Sequence, residues 1–377
     1  PGPGHGPGLV EVTGAVRGAG DATVDALIGS RFDAWVAAWP GEATRFGLHQ
    51  HDGRLPDLSR RAKEADIEAE HAFVQQLQAV DHETLSQRTA FERELALHGA
   101  RLRLFEAEVV RGWERTTNAT DEIGTALFLL AARDFAPLEE RLLSMTARLE
   151  AVPWALQQVR DRLGPDPVRR WMEQEARSAA ELPTLVHDIV ARAATTWPAG
   201  DARLRRLQDA AMAGETALLD YAAWIDETLD TCGHRTALGS DELDWLVGLR
   251  AFDGMTTDDI LAIGLEQLEA QHESRRQAGR EIDPTLSEAE VVDRVKADGP
   301  ADFEAALRAY REAMLRARAF IGERGLATLP ADDILEVVPT PEFMRRMLPL
   351  AAYFDPAAFV RPVRGTSVVT PSVDDDP

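Results

Sequence analysis

ETLSQRTAFERELALHGARLRLFEAEVVRGWER, residues 83–115, carries Phe91, Leu95, His98, Leu102, Phe105 and Val109 at alternating steps of four and three residues. An α-helix turns once every 3.6 residues, so this spacing gathers apolar groups on one face. The stretch predicts a long helix with that stripe turned to a core and His98 buried and hydrogen-bonded. The same rhythm runs outward in both directions. Residues 21–39 predict a helix stopped by Pro40-Gly41, and the loop TRFGLHQHDGRLPDLS (44–59) follows.

Downstream, Thr120 is the expected N-cap of an apolar helix reaching 135. Pro137 and Pro153 fit the first turns of the next two helices, where a missing N–H is not needed. Longer helices are expected over 168–196, kinked at Pro183, and over 202–231. Further ones are expected over 241–249 and 257–280. Ser287 and Glu290 have capping-box spacing, and a helix over 301–324 ends at Gly325. The eight tryptophans fall on these helices and read as core.

The fold class is therefore mainly α: long antiparallel helices with a small, incomplete β element near the C-terminus. Residues 1–20 read as a disordered Gly/Pro-rich leader and 21–325 as the helical domain. Residues 326–377 form a segment with eight prolines and two short β-like runs, 335–338 and 366–370. The tail RGTSVVTPSVDDDP (364–377) holds one of these runs, and a lone strand needs a sheet to join. The expectation is a chain interrupted before the rest of that sheet.

Composition limits function. The 64 acidic residues against 41 Lys and Arg give a net charge of −23. Nucleic acids and anionic membrane surfaces are bound through clustered cations, so neither is an expected partner. One cysteine, Cys232, excludes an intrachain disulfide. The longest apolar run, 123–132, is too short to span a bilayer. No signal peptide is read at the N-terminus, so the expected localisation is cytoplasmic.

Motifs with chemistry are sparse. His49-Gln-His51-Asp52 is the densest ligand-like cluster, but it lies in a Gly/Pro-rich loop without the strand that would align both imidazoles. A solvated or structural loop is the reading. His272-Glu273-Ser-Arg-Arg276 has Arg where a zinc helix needs its second His. Cys232 and His234 lack an orienting partner for nucleophilic catalysis. No catalytic residue and no metal ligand is assigned, and no cofactor is expected in this chain.

Four segments taken together resemble the bacterial domain-of-unknown-function family 885. They are GLHQHDGRLPDLS (47–59), TALFLLAARDFAPLEERLLSMTARL (125–149), LGSDELDWLVGLRAFDGMTTDDILAIG (238–264) and FIGERGLATLPADDILEVVPTPEFMRRMLPLAAY (320–353). The resemblance covers about residues 32–371. It implies relatives of gluzincin-type zinc metallopeptidases, in which an HExxPGH zinc helix follows a strand matching 368–370. That helix is absent from these 377 residues, so no zinc ligand or general base transfers to any position here. The implied protein is the N-terminal helical part of a peptide hydrolase, inactive alone, with zinc only in a full-length relative. The resemblance also implies that Gly365, Thr366, Ser367, Val368 and Val369 form an edge strand on which a peptide substrate would lie. An ordinary structural strand is the other reading of the same residues. The competing function is a non-enzymatic helical scaffold or binding protein.

Overall fold

The computed structural model describes residues 17–250, 254–329, 334–340, 345, 348 and 350–371. The chain divides into two compact units at 253/254. The leader, 1–20, is described only from Arg17 onward, and the end of the tail, 372–377, lies outside the described residues.

The first unit is all helical. Its elements are α1 (Asp21–Ala38), α2 (Pro40–Phe46), α3 (Arg60–Ala79), α4 (Gln87–Phe105), α5 (Gly112–Arg115), α6 (Ala119–Ala132), α7 (Leu138–Arg162), α8 (Arg169–Glu181), α9 (Pro183–Thr196), α10 (Ala202–Thr228) and α11 (Ser240–Leu249). The centre is α7 packed on α10, with α6, α8 and α9 around them. Along α7, Leu142, Met145, Leu149, Val152, Leu156 and Val159 are all buried, and their three- and four-residue steps make the core stripe. Pro153 does not start a helix. It sits inside the continuous α7, where burial of Val152 and Leu156 on either side outweighs the one lost backbone bond. Pro183 behaves differently, opening α9 as its first residue after a break at Leu182.

The stripe on α4 is rotated from its expected phase. Phe91 and Leu95 are 68% and 58% exposed, whereas Thr89, Arg93, Leu97 and Ala100 are buried. The period specified the helix, but the neighbour chose the face. Arg93 donates to the carbonyls of Leu77 (2.8 Å) and Gln78 (3.4 Å), the open C-terminal end of α3. That bond turns Leu97 and Ala100 toward Val24, Phe73 and Leu77. Of the predicted stripe only Phe105 is fully enclosed, edge-on to Trp245. A π-helical turn, Glu106–Val110, ends the helix before the expected 115. His98 is half-buried. The tryptophans divide as well: Trp197 is buried, but Trp154 and Trp245 are exposed.

The second unit holds α12 (Thr257–Ile282), α13 (Glu288–Ala297), α14 (Phe303–Arg324) and a three-stranded sheet. Thr256 with Asp259 and Ser287 with Glu290 form complete capping boxes, and Gly325 closes α14 in the left-handed region. The strands are β1 (Ile334–Pro339), β2 (Ala351–Phe354) and β3 (Arg364–Val369). Their spatial order is β1-β3-β2, with β3 parallel to β1 and antiparallel to β2. Leu307 of α14 packs on Val337 and Val369, so one face of the sheet rests on that helix. Among the described residues, no helix is long and apolar enough to cross a membrane.

Candidate functional site

The strand expected to be an open edge is the centre of the sheet. Gly365–Val369 pairs with β1 on one side and β2 on the other, so its backbone groups are already engaged. The edge assignment is corrected: a strand that is terminal in sequence became central in space, because β1 and β2 both precede it and flank it. Among the described residues the outer strands are β1 and β2, and their edges are not equivalent.

Ile334 donates to Val363 and Thr340 to Val369, so even-numbered β1 residues face β3 and odd ones face outward. On that outer side Pro339 has no N–H, and the Val337 carbonyl already accepts from Arg311 Nε at 3.0 Å. The β1 edge is blunted. On β2, Thr370 donates to Leu350, which makes Leu350, Ala352 and Phe354 the hydrogen-bonded side toward β3. The N–H and C=O groups of Ala351 and Tyr353 therefore point to the free edge, and no hydrogen bond to another described residue engages them there.

A second cluster lies in the 47–59 loop. His49 Nδ1 is 2.9 Å from Asp52 Oδ2, and Thr44 Oγ1 donates to Asp52 Oδ1 at 2.6 Å. His49 stacks on Phe135 with ring centroids 3.6 Å apart, and its buried Nε2 has no hydrogen-bond partner among the described residues. His51 turns instead toward Arg54. Beneath them is Arg148, fully buried, which donates to Arg54 O (3.0 Å), Thr44 Oγ1 (2.9 Å), Pro40 O (3.4 Å) and Ala126 O. Burial lowers its pKa to about 10, opposed by Asp52, so it stays charged at neutral pH. The nearest Asp52 oxygen is 4.0 Å away, with Thr44 bridging the two. This hub pins a loop that has no regular structure, which agrees with the structural reading of the motif.

Other titratable groups are accounted for locally. Burial, then the charges of Asp121 and Glu42, push the Glu122 carboxyl up to about 7, against the pull of Arg162. Its folded pKa lies above the ordinary 4.5, so the stability linked to it is full below about pH 4.5 and is lost as pH rises to about 7. Glu122→Gln is expected to flatten that slope and to stabilise the protein at pH 8 by about 1–3 kcal/mol. Urea unfolding at pH 5 and pH 8 measures both effects. Burial raises the Cys232 thiol above its usual range, and the sulfur donates to Thr228 O, while His234 is exposed. That is not an activated thiol. His187 is exposed beside Glu215 at 3.0 Å, and Arg276 pairs with Glu269 and Glu273 on α12.

Among the described residues, no three His, Cys, Asp or Glu side chains come together in a way that could hold a metal ion. A catalytic zinc needs three such ligands, so zinc does not fit this set of residues.

The family described as bacterial protein of unknown function, DUF885, matches residues 40–373. No curated protein matches the chain. Among solved structures, the chain is similar to a candidate lipoprotein of unknown function from Shewanella oneidensis, with a TM-score of 0.68 and 14% identity. It is also similar to a candidate lipoprotein from Colwellia psychrerythraea, with a TM-score of 0.72 and 11% identity. The two likenesses cover 94% and 95% of this chain, and 65% and 68% of those chains. At such identities they establish a shared fold alone. With the family match spanning most of its length, the chain belongs to the bacterial DUF885 family of proteins of unknown function.

Proposed function

We propose that this chain is the peptide-holding, non-catalytic part of a metallopeptidase-type hydrolase, with the catalytic groups supplied from outside the described residues. The observation that carries the reading is the open outer edge of β2 beside a blunted β1. An extended peptide added there would exchange main-chain hydrogen bonds with Ala351 and Tyr353, a mode that gives affinity without demanding particular side chains. Gly365–Val369 would support that edge from behind instead of contacting the peptide. The family resemblance read from residues 47–59, 125–149, 238–264 and 320–353 supplies the hydrolase part of the reading. Among the described residues no group of three His, Cys, Asp or Glu could hold a metal ion.

The test uses the whole 377-residue chain and a fluorescent seven-residue peptide of Thr, Val and Ala. Saturable binding is expected, with loss when alternate peptide nitrogens are methylated on the paired side, and with no cleavage. Binding that ignores methylation would overturn the edge reading. Chelator-sensitive hydrolysis by this chain would overturn its non-catalytic assignment.

A helical scaffold is the second reading, and the exposed Phe91 and Leu95 on α4 favour it. It predicts concentration-dependent self-association or a protein partner that is lost in Phe91→Ser and Leu95→Ser, with peptide binding absent.

A further inference from the structure

The free edge of β2 has a symmetry that the blunted β1 edge lacks. Its outward groups are the N–H and C=O of Ala351 and Tyr353, one residue to each side of Ala352. The Tyr353 ring does not stand in their way. Its Oη lies 2.4 Å from where a Cβ on Gly365 would be, over β3 and away from the edge. Two such edges placed antiparallel about a twofold axis at Ala352 complement each other. Ala351 of one copy faces the partner's Tyr353, the partner's Ala351 faces Tyr353, and these hydrogen-bonded pairs engage the outward groups of both strands. Neighbouring centres fail. An axis at Ala351 sets Tyr353 against the partner's Pro349, which has no N–H. An axis at Tyr353 sets Ala351 against the partner's Asp355, beyond the end of the strand.

Charge and exposure point to the same occupant. From Leu348 to Phe354 there is no charged residue, on a protein of net charge −23. Edge strands resist pairing through charges, prolines or bulges, and β2 carries none of them: its register with β3 is continuous. In the paired arrangement the Asp355 carboxylates of the two copies fall at opposite ends, about 20 Å apart, well beyond the screening length of about 8 Å. Leu350, 73% exposed, comes opposite the partner's Phe354 in the kind of pair that brings side chains closest.

We propose that β2 is a self-association edge, where a second copy of this chain pairs antiparallel about Ala352 and joins the two three-stranded sheets into one of six. One short strand on each side makes a small contact, so the dimer is weak and reversible. Association withholds from a peptide the same edge that the peptide reading needs open. The proposal stands on the geometry of that edge and does not require that a peptide binds.

Sedimentation equilibrium of the full chain, over about a hundredfold range of concentration, should show a reversible monomer–dimer equilibrium. Ala351→Pro removes an outward N–H and leaves the β3 ladder intact, and it should weaken association by at least about tenfold. Phe91→Ser should leave the dimer unchanged, which separates this contact from one through α4. Oxidation on a Cys232→Ser background, where the new hydroxyl keeps the bond to Thr228 O, reads the register. Ala352→Cys sets two thiols across a non-hydrogen-bonded pair with Cα atoms about 4.5 Å apart, inside disulfide range, and should cross-link. Leu350→Cys holds its two thiols about 14 Å apart and should not. Far-UV circular dichroism and the thermal midpoint check folding, and the cross-linking pair carries the test if Ala351→Pro does not fold. A chain that stays monomeric, a dimer indifferent to Ala351→Pro or lost in Phe91→Ser, or equal cross-linking at the two positions overturns the proposal. Peptide binding to a chain that stays monomeric would leave the peptide reading standing without this one. A dimer at this edge that never binds peptide would leave this one standing without the peptide reading.

Discussion

Replacing Glu175 with alanine is expected to cost this protein about 3–5 kcal/mol, the range for removing one member of a buried, charged hydrogen-bond network. Glu175 is 5% exposed on α8, and its carboxylate accepts four hydrogen bonds from two other helices. Oε1 takes the backbone N–H groups of Ala119 (2.7 Å) and Thr120 (3.0 Å) and the Tyr221 hydroxyl (2.9 Å). Oε2 takes the Thr120 hydroxyl at 2.7 Å. The first two donors are the open N-terminus of α6. Asn118, the residue before that helix, has a left-handed backbone and makes no side-chain cap. A carboxylate from a distant helix does the work of the N-cap and also meets the positive end of the helix dipole. Alanine would strand those donors away from water. Glutamine keeps the volume and one acceptor, so Glu175→Gln should lose only about 1–2 kcal/mol. Urea denaturation of both variants, with helix content followed by circular dichroism, measures the difference. An alanine variant within about 1 kcal/mol of wild type would falsify the role assigned to Glu175.

Arg148→Ala should cost a similar amount, about 3–5 kcal/mol, by a different route. Its guanidinium joins Pro40 and Thr44 of α2, Arg54 of the following loop and Ala126 of α6 to α7. Removing it leaves four buried acceptors and a cavity, and it leaves Asp52 without its nearest buried cation. Lysine carries the same charge as a single point and cannot span acceptors on three segments, so Arg148→Lys should recover less than half of the loss. The local signature is distinctive. In Arg148→Ala the 47–59 loop should be cleaved by trypsin at Arg54 before global unfolding, because the Arg148 bond to Arg54 O is what holds that segment down. Equal protection of the loop in variant and wild type would count against this account.

Much of the local order was legible before any fold was known. Ser287 and Glu290, Gly325 and the helix periods acted as read, because caps, left-handed termini and 3.6-residue spacing are satisfied within a few residues of chain. Failures occurred where a distant group supplied the answer. Thr120 is inside α6, and the group that caps it is Glu175, more than fifty residues away. Phe91 and Leu95 have the right spacing and the wrong phase, since Arg93 reaching to the end of α3 set the rotation of α4. Strand β2, Ala351–Phe354, gave no readable signal, because a four-residue strand with two alanines becomes a strand only when β3 pairs with it.

The candidate site follows the same division. The β-branched run around Val368 announced a strand, and the sequence alone determined that it needed partners, because an unpaired backbone is costly. That both of its sides are paired, leaving the outer edges to β1 and β2, was decided by tertiary structure. Strand order depends on where 334–339 and 351–354 come to rest, and those pairings are non-local. Composition and periodicity determined a mainly helical, strongly acidic chain with a small sheet near its end. Phase, caps from afar and the free edge at Ala351 and Tyr353 were decided by packing, since each depends on groups that only the folded chain brings together.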